Sequence, residues 1–318
     1  MDLSNPRPER RHQATALRLA PAPAHRRRTT IALLLTGRNR PEDPAVADFL
    51  RQSSQEGIDL EGLWLASLDD RPIAAALLVP CAGRTGAVFL GPLANEAAVE
   101  PAGDLLAAMV DQADQDRIRI VQALLDPQQQ QRESRAFAHA GFERLAHLLY
   151  MEHSAPAEES PLLLPEGYDS IPWSEQARPQ FEEAILASYQ QTLDCPGLLG
   201  LRPIEDIIEG HMSAGKFQPP LWRCIRRAGE PVGAMLLNPL PQREAMELVY
   251  LGLAPAVRGQ KLSRRLMEHG LGLCRRYGAR SMVLAVDEAN TPAVGLYQKL
   301  GFRGTARKLA LARPVPAG

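Results

Sequence analysis

Glu247, Arg258, Gly259, Asn290 and Tyr297 are the residues whose types and spacing could do chemistry in this chain. Residues 247–267 read ELVYLGLAPAVRGQKLSRRLM: an apolar strand runs into Pro255, an Arg-Gly-Gln turn follows, and an amphipathic helix starts at Leu262. A strand that feeds a glycine turn into a helix start gathers free main-chain N–H groups and the positive end of the helix dipole at one point. That arrangement suits a phosphate. Glu247 opens the strand, and burying a carboxylate among apolar residues is costly without a partner or a purpose. It is either a base held in a site or half of an ion pair with a nearby arginine. Tyr297 lies seven residues after Asn290 and is either a neutral O–H donor or a packing residue.

The elements around these residues follow from periodicity and turn residues. Strict alternation along the strand puts Glu247, Val249, Leu251 and Leu253 on one face, and Leu248, Tyr250 and Gly252 on the other. In the first half, helices are expected over 24–36, 44–55, 103–115 and 128–140. Strands are expected over 16–20, 63–67, 73–79, 86–90, 118–125 and 146–151. In the second half, helices fall at 179–191, 203–212, 262–277 and 292–300. Strands fall at 168–171, 221–226, 232–237, 246–253, 281–286 and 306–311. The two lists have the same order. IRIVQALLD (118–126) matches RSMVLAVD (280–287), and AFAHAGFERL (136–145) matches LYQKLGFRGT (296–305), at offsets of 161 and 160 by subtraction. A near-constant offset across two elements points to an internal duplication. The proline-rich, acidic stretch 154–165 then reads as a linker between 1–153 and 166–318.

Composition bounds the rest. With 318 residues, 45% hydrophobic content and a net charge of −1, the chain is an ordinary globular protein with no global charge for nucleic acid or a membrane surface. Its basic runs at 7–12 and 25–28 read as a solvated N-terminal segment. Cys81, Cys195, Cys224 and Cys274 are widely spaced with no CxxC, which argues against a metal site or a disulfide framework. The run 31–35 is too short for a signal core or a membrane span, so a cytoplasmic location is expected.

VYLGLAPAVRGQ, the following helix and EANTPAVGLYQKLGF resemble the acyl-CoA-binding region of the GCN5-related N-acetyltransferase (GNAT) superfamily, over residues 165–314. The layout, with a worn first copy and a better preserved second, is similar to mycothiol synthase and related tandem acetyltransferases. The resemblance implies an α+β fold: two tandem GNAT-like domains, each a mixed, mostly antiparallel sheet flanked by helices. It implies acetyl-CoA as co-substrate, an amine-bearing small molecule or peptide as acceptor, and direct transfer in a ternary complex. No metal is implied, and a homodimer is compatible with it. It implies Glu247 as general base and Tyr297 as the acid that protonates the leaving thiolate. It also implies main-chain contacts to the thioester and pantetheine around Leu251 and Leu253, and Asn290 against the CoA arm. The pyrophosphate cradle becomes Arg258, Gly259, Gln260, Lys261, Leu262 and Ser263. The family motif would place glycines or alanine where Lys261 and Ser263 stand, so a non-catalytic CoA-binding protein is the rival reading. The first half lacks the machinery: Ala97 and Ala98 stand at the loop and Phe137 at the tyrosine position. The segment 192–211 would wall the acceptor site, with Asp194, Cys195, Arg202 and His211 as contacts or as capping residues.

Overall fold

The computed structural model describes residues 16–128, 130–156, 158 and 160–316; the basic run 7–12 lies outside them. The first half runs β1 (Leu17–Pro21), α1 (Arg27–Thr36), α2 (Pro44–Glu56), β2 (Leu63–Leu68), β3 (Arg71–Cys81), β4 (Thr85–Leu90), α3 (Val99–Asp111), β5 (Ile120–Leu125), α4 (Gln131–His139) and β6 (Glu143–Ser154). The second repeats that order: β7 (Tyr168–Pro172), α5 (Arg178–Tyr189), α6 (Ile204–Ser213), β8 (Trp222–Arg227), β9 (Glu230–Leu240), β10 (Ala245–Leu253), α7 (Leu262–Leu273), β11 (Ser281–Asp287), α8 (Thr291–Lys299) and β12 (Arg303–Pro314).

Local chemistry explains the boundaries. The Asp43 carboxylate accepts the Ala45 N–H at 2.9 Å, Pro44 takes the first helical position, and left-handed Gly57 ends α2. The β2–β3 hairpin turns on Asp69 and Asp70 and the β8–β9 hairpin on Ala228 and Gly229, all at positive φ, as a two-residue hairpin of the primed type requires. Helix α3 begins four residues before the expected Gly103, because Gly103 is no helix start. A Cβ there would lie 2.6 Å from the His139 ring, so its bareness lets α3 and α4 pack closely.

All the strands form one 12-stranded sheet, in the order β1-β2-β3-β4-β5-β12-β6-β11-β10-β9-β8-β7. The α+β fold with a mixed, mostly antiparallel sheet is as expected, but the two copies are fused through an exchange of closing strands. β12, from the second half, pairs with β5 on one edge and β6 on the other, while β6, from the first half, lies between β12 and β11. Pairing on both edges explains why β6 and β12 each run 12 residues, longer than their apolar cores suggested.

Helices cover the two faces unevenly. On one face, α3 and α4 bury Leu105 and Phe137 over the first half, and α7 and α8 bury Leu266 and Tyr297 over the second. On the other, α1 and α2 cover β2 and β3, while α5 and α6 cover β8 and β9. Over the middle strands of that second face Phe89, Leu124 and Ala285 stay exposed. The described residues between β6 and β7 are tied to the second half: Ala155 N–H donates to Arg280 O at 2.7 Å, and Arg265 donates to Leu163 O at 3.2 Å.

The exchange makes each half depend on the other for a central strand. Residues 156–318 produced alone would lack β6, leaving β11 and β12 without their shared neighbour. This fragment is expected to show no cooperative thermal transition, and mixing with residues 1–155 is expected to restore one; circular dichroism on fragments and mixture checks both.

Candidate active site

Strands β10 and β11 are parallel for three residues only, Ala245–Glu247 against Ser281–Val283, and then diverge. From Leu248 onward the edge of β10 that faces β11 has no strand partner, so its main-chain donors and acceptors line a wedge between the strands. The β9–β10 register also slips between Leu248 and Tyr250. This bulge at Val249 corrects the expected alternation. Leu248, Leu251 and Leu253 all pack into the α7–α8 core, while Val249 and Tyr250 pack on the α5 side. One extra residue in the strand turns every later side chain over.

Glu247 sits at the last paired position before the wedge. Its neighbours Met246 and Leu248 are buried against α7, so Glu247 points to the face carrying α5 and α6. Burial holds its carboxyl above the ordinary range, and nearby Arg243 opposes that only partly.

The loop after β10 is pegged at both ends by Val257 and Leu262, each 1% exposed. Gly259 lies at φ 76 and Lys261 at φ 61, both left-handed. Lys261 therefore holds the backbone shape that a glycine would take. Ser263 fits the first turn of α7. Among the described residues, no protein acceptor meets the main-chain N–H groups of Gly259, Gln260, Lys261, Leu262 or Ser263, which leaves five donors at the positive end of the helix. Arg258 is placed differently from its neighbours. Its guanidinium donates to Leu253 O at 3.0 Å, Gln191 O at 3.1 Å, Ser188 O at 2.9 Å and Gln190 O at 2.8 Å. It thus fastens the end of α5 to the end of β10. Gln260 accepts from the Tyr168 hydroxyl at 2.7 Å.

Beyond the wedge, Asn290 caps α8 by accepting the Ala293 N–H at 3.4 Å. Tyr297 is 6% exposed, packs against Phe302, and is held neutral by burial, with Asp194 adding to the effect. Asp194 and Asp287 lock together: the Asp287 N–H donates to Asp194 at 3.0 Å, and the Cys195 N–H donates to Asp287 at 3.2 Å. Burial raises the Asp194 carboxyl against the lowering effect of that bond. The Cys195 thiol is pushed up to about 12 by the same burial, which makes it a poor nucleophile.

The loop 192–203 then crosses the open sheet face to the first half. Arg202 donates to the Thr85 hydroxyl at 2.9 Å, and Arg84 holds Asp206 through two bonds of 2.9 and 3.0 Å. Below α6, Asn238 is fully buried, accepts from Trp222 Nε1 at 2.8 Å and donates to His211 O at 2.8 Å. The His211 ring lies 5.4 Å from Tyr250, its Nε2 is buried without a partner, and burial pulls its pKa down to about 4. Among the described residues, no group of three or more His, Cys, Asp or Glu could hold a metal ion, and no helix is long and apolar enough to cross a membrane.

The first half repeats the wedge without its chemistry. β4 and β5 are parallel over Thr85–Ala87 and Ile120–Gln122 only. Ala87 there occupies the position that Glu247 holds in β10, and Phe137 is fully buried at the Tyr297 position.

Residues 189–302 match the model of the acetyltransferase (GNAT) family. The chain is 39% identical over 101 residues to the peptidyl-lysine N-acetyltransferase YjaB of Salmonella typhimurium, covering 31% of this chain and 62% of that protein. It is 32% identical over 115 residues to YjaB of Escherichia coli, covering 36% and 68%. The chain belongs to the GNAT acetyltransferase family. It is also 46% identical over 59 residues to the mycothiol acetyltransferase of Corynebacterium glutamicum, 19% of this chain and 20% of that one. A GCN5-related N-acetyltransferase structure from Sphaerobacter thermophilus shares the fold, with a TM-score of 0.59, 18% identity, and coverage of 95% of this chain and 96% of that one. The family-model match thus falls in the second half, and the fold match covers nearly the whole chain.

The φ of Lys261 yields a direct test of the loop. Lys261→Gly is expected to keep or raise the melting temperature. Lys261→Val, a branched residue forced to positive φ, is expected to cost about 1–3 kcal/mol in urea unfolding.

Proposed function

We propose that this protein is an acetyl-CoA-dependent N-acyltransferase, with 166–318 as the transferase half and 1–153 as a supporting half. The observation that carries the reading is the wedge itself: a half-buried carboxylate at its apex and five free N–H groups at its mouth. An extended pantetheine arm fits between β10 and β11, where the main chain around Leu251 and Leu253 has no strand partner on the β11 side. The N–H groups of Gly259, Gln260, Lys261, Leu262 and Ser263 suit the pyrophosphate, with Lys261 supplying charge and Arg258 holding the loop in shape. Asn290 fixes the start of α8 beside the arm. The acceptor is an amine on a small molecule or a peptide. It reaches Glu247 from the open sheet face, walled by 192–211.

In the transfer, the amine nitrogen attacks the thioester carbonyl, a C–N bond forms and the C–S bond breaks. Glu247 takes the proton from the nitrogen, directly or through water, and Tyr297 returns one to the departing thiolate. A raised carboxyl suits the base, because its affinity for a proton lies nearer the working pH. A neutral phenol suits the acid because it still carries the proton it must give.

Glu247 must be ionised to act. The rate is therefore expected to rise with pH through its raised pKa, and the acid limb is expected to lie above the ordinary carboxylate range near 4.3. Glu247→Gln is expected to lower kcat about 10²- to 10⁴-fold, to remove that limb, and to leave acetyl-CoA stabilisation intact in thermal shift. CoA release followed from pH 5 to 9 on both proteins measures this. Binding of acetyl-CoA with no thioester consumption across an amine panel would instead favour the non-catalytic rival.

A further inference from the structure

The exchanged strand does more than close the sheet. β6 brings a first-half side chain onto the face that carries Glu247. Glu247 is in register with Val283 of β11, and Ala285, two residues along, is in register with Tyr150 of β6. Registered partners share a face, as do alternate residues of one strand. Glu247, Val283, Ala285 and Tyr150 therefore form one surface, with the half-buried Val283 and exposed Ala285 as a low floor between the two functional side chains. Two strand spacings across and two residues along put the Glu247 and Tyr150 backbones roughly 12 Å apart. Both side chains stand off the same face, and the Glu247 charge is near enough to act on the Tyr150 phenol.

Three further observations bear on Tyr150. Its hydroxyl meets no hydrogen-bond partner among the described residues, although its carbonyl accepts from Thr305 at 3.3 Å. Burial and the nearby Glu247 charge both hold the phenol neutral. The duplication also supplies an internal control. In the first half Leu124 stands where Ala285 stands in the second, and its partner on β12 is Ala310. The pair Glu247 and Tyr150 is thus Ala87 and Ala310 in the worn copy. Both polar groups stand on the second wedge, and both are alanine on the first. The other charged groups on this surface include Glu152, in register with Val283, Arg303, in register with Glu152, Arg243 beside Glu247, and Asp287 and Lys308, both in register with Leu148.

We infer that Tyr150, supplied by the first half, belongs to the acceptor site: its hydroxyl hydrogen-bonds the acceptor nitrogen and holds it over the Val283–Ala285 floor, facing Glu247. The inference rests on the acyltransferase reading. It gives the first half a part in the reaction, through one side chain on the strand it lends.

Tyr150→Phe keeps the ring and removes only the oxygen. With an α-blocked lysine amide and with glucosamine as acceptors, the variant is expected to lose about tenfold or more in kcat/KM for the amine. KM for acetyl-CoA and the melting temperature are expected to stay where they are in the unaltered protein. A change in amine kcat/KM below twofold overturns the inference and leaves the acyltransferase reading standing. So does an equal loss in acetyl-CoA binding, which would mark Tyr150 as a support of the wedge. Absence of amine-dependent CoA release from the unaltered protein overturns both.

Discussion

The antiparallel pairing of β6 with β12 is the interaction on which the rest of this structure depends. Neither strand pairs with the β5-type strand of its own half; each fills the gap beside the other half's. Two sheets that would each have ended in an exposed edge thereby become one, and the edges that remain are the peripheral strands β1 and β7. The cores follow the exchange: Leu309 and Leu311 of β12 pack with the first half, and Met151 of β6 packs with the second.

That exchange explains why a worn copy is kept. The first wedge carries Ala87, Ala97 and Phe137 where the repeat places Glu247, Arg258 and Tyr297 in the second. Its backbone has not changed in kind: β4 and β5 still part after three residues, as β10 and β11 do. The first half also anchors the loop over the second wedge, through Thr85 to Arg202 and Arg84 to Asp206. Side-chain chemistry has been free to drift where strand pairing and loop anchoring have not.

Much of this was legible in the sequence, and the parts that were not share a cause. Strand and helix order, the duplication and the α+β class follow from alternation, turn residues and the constant offset, all of which are local signals. The strand exchange is invisible because swapping two equivalent strands changes no local pattern; only the unexpected length of β6 and β12 reports it. The bulge at Val249 has no glycine to mark it, so alternation misassigned the faces of Leu251 and Leu253. Lys261 at φ 61 concealed a glycine-like turn under a long side chain. Arg258 reads as a phosphate ligand by type, yet each of its three guanidinium nitrogens meets a carbonyl that sequence alone does not bring near. Tyr150 carried no signal, since its place beside Glu247 exists only once β6 has crossed between the halves.

On the acyltransferase reading, one wedge of two is a cofactor site, and loop 258–263 makes the difference. Calorimetric titration with acetyl-CoA tests this most directly, on the unaltered chain and on a chain carrying Gly259→Val, a branched residue that resists the turn's positive φ. One acetyl-CoA per chain, with binding lost in the variant, is the result expected. Two per chain, or one per chain that survives the substitution, would contradict it.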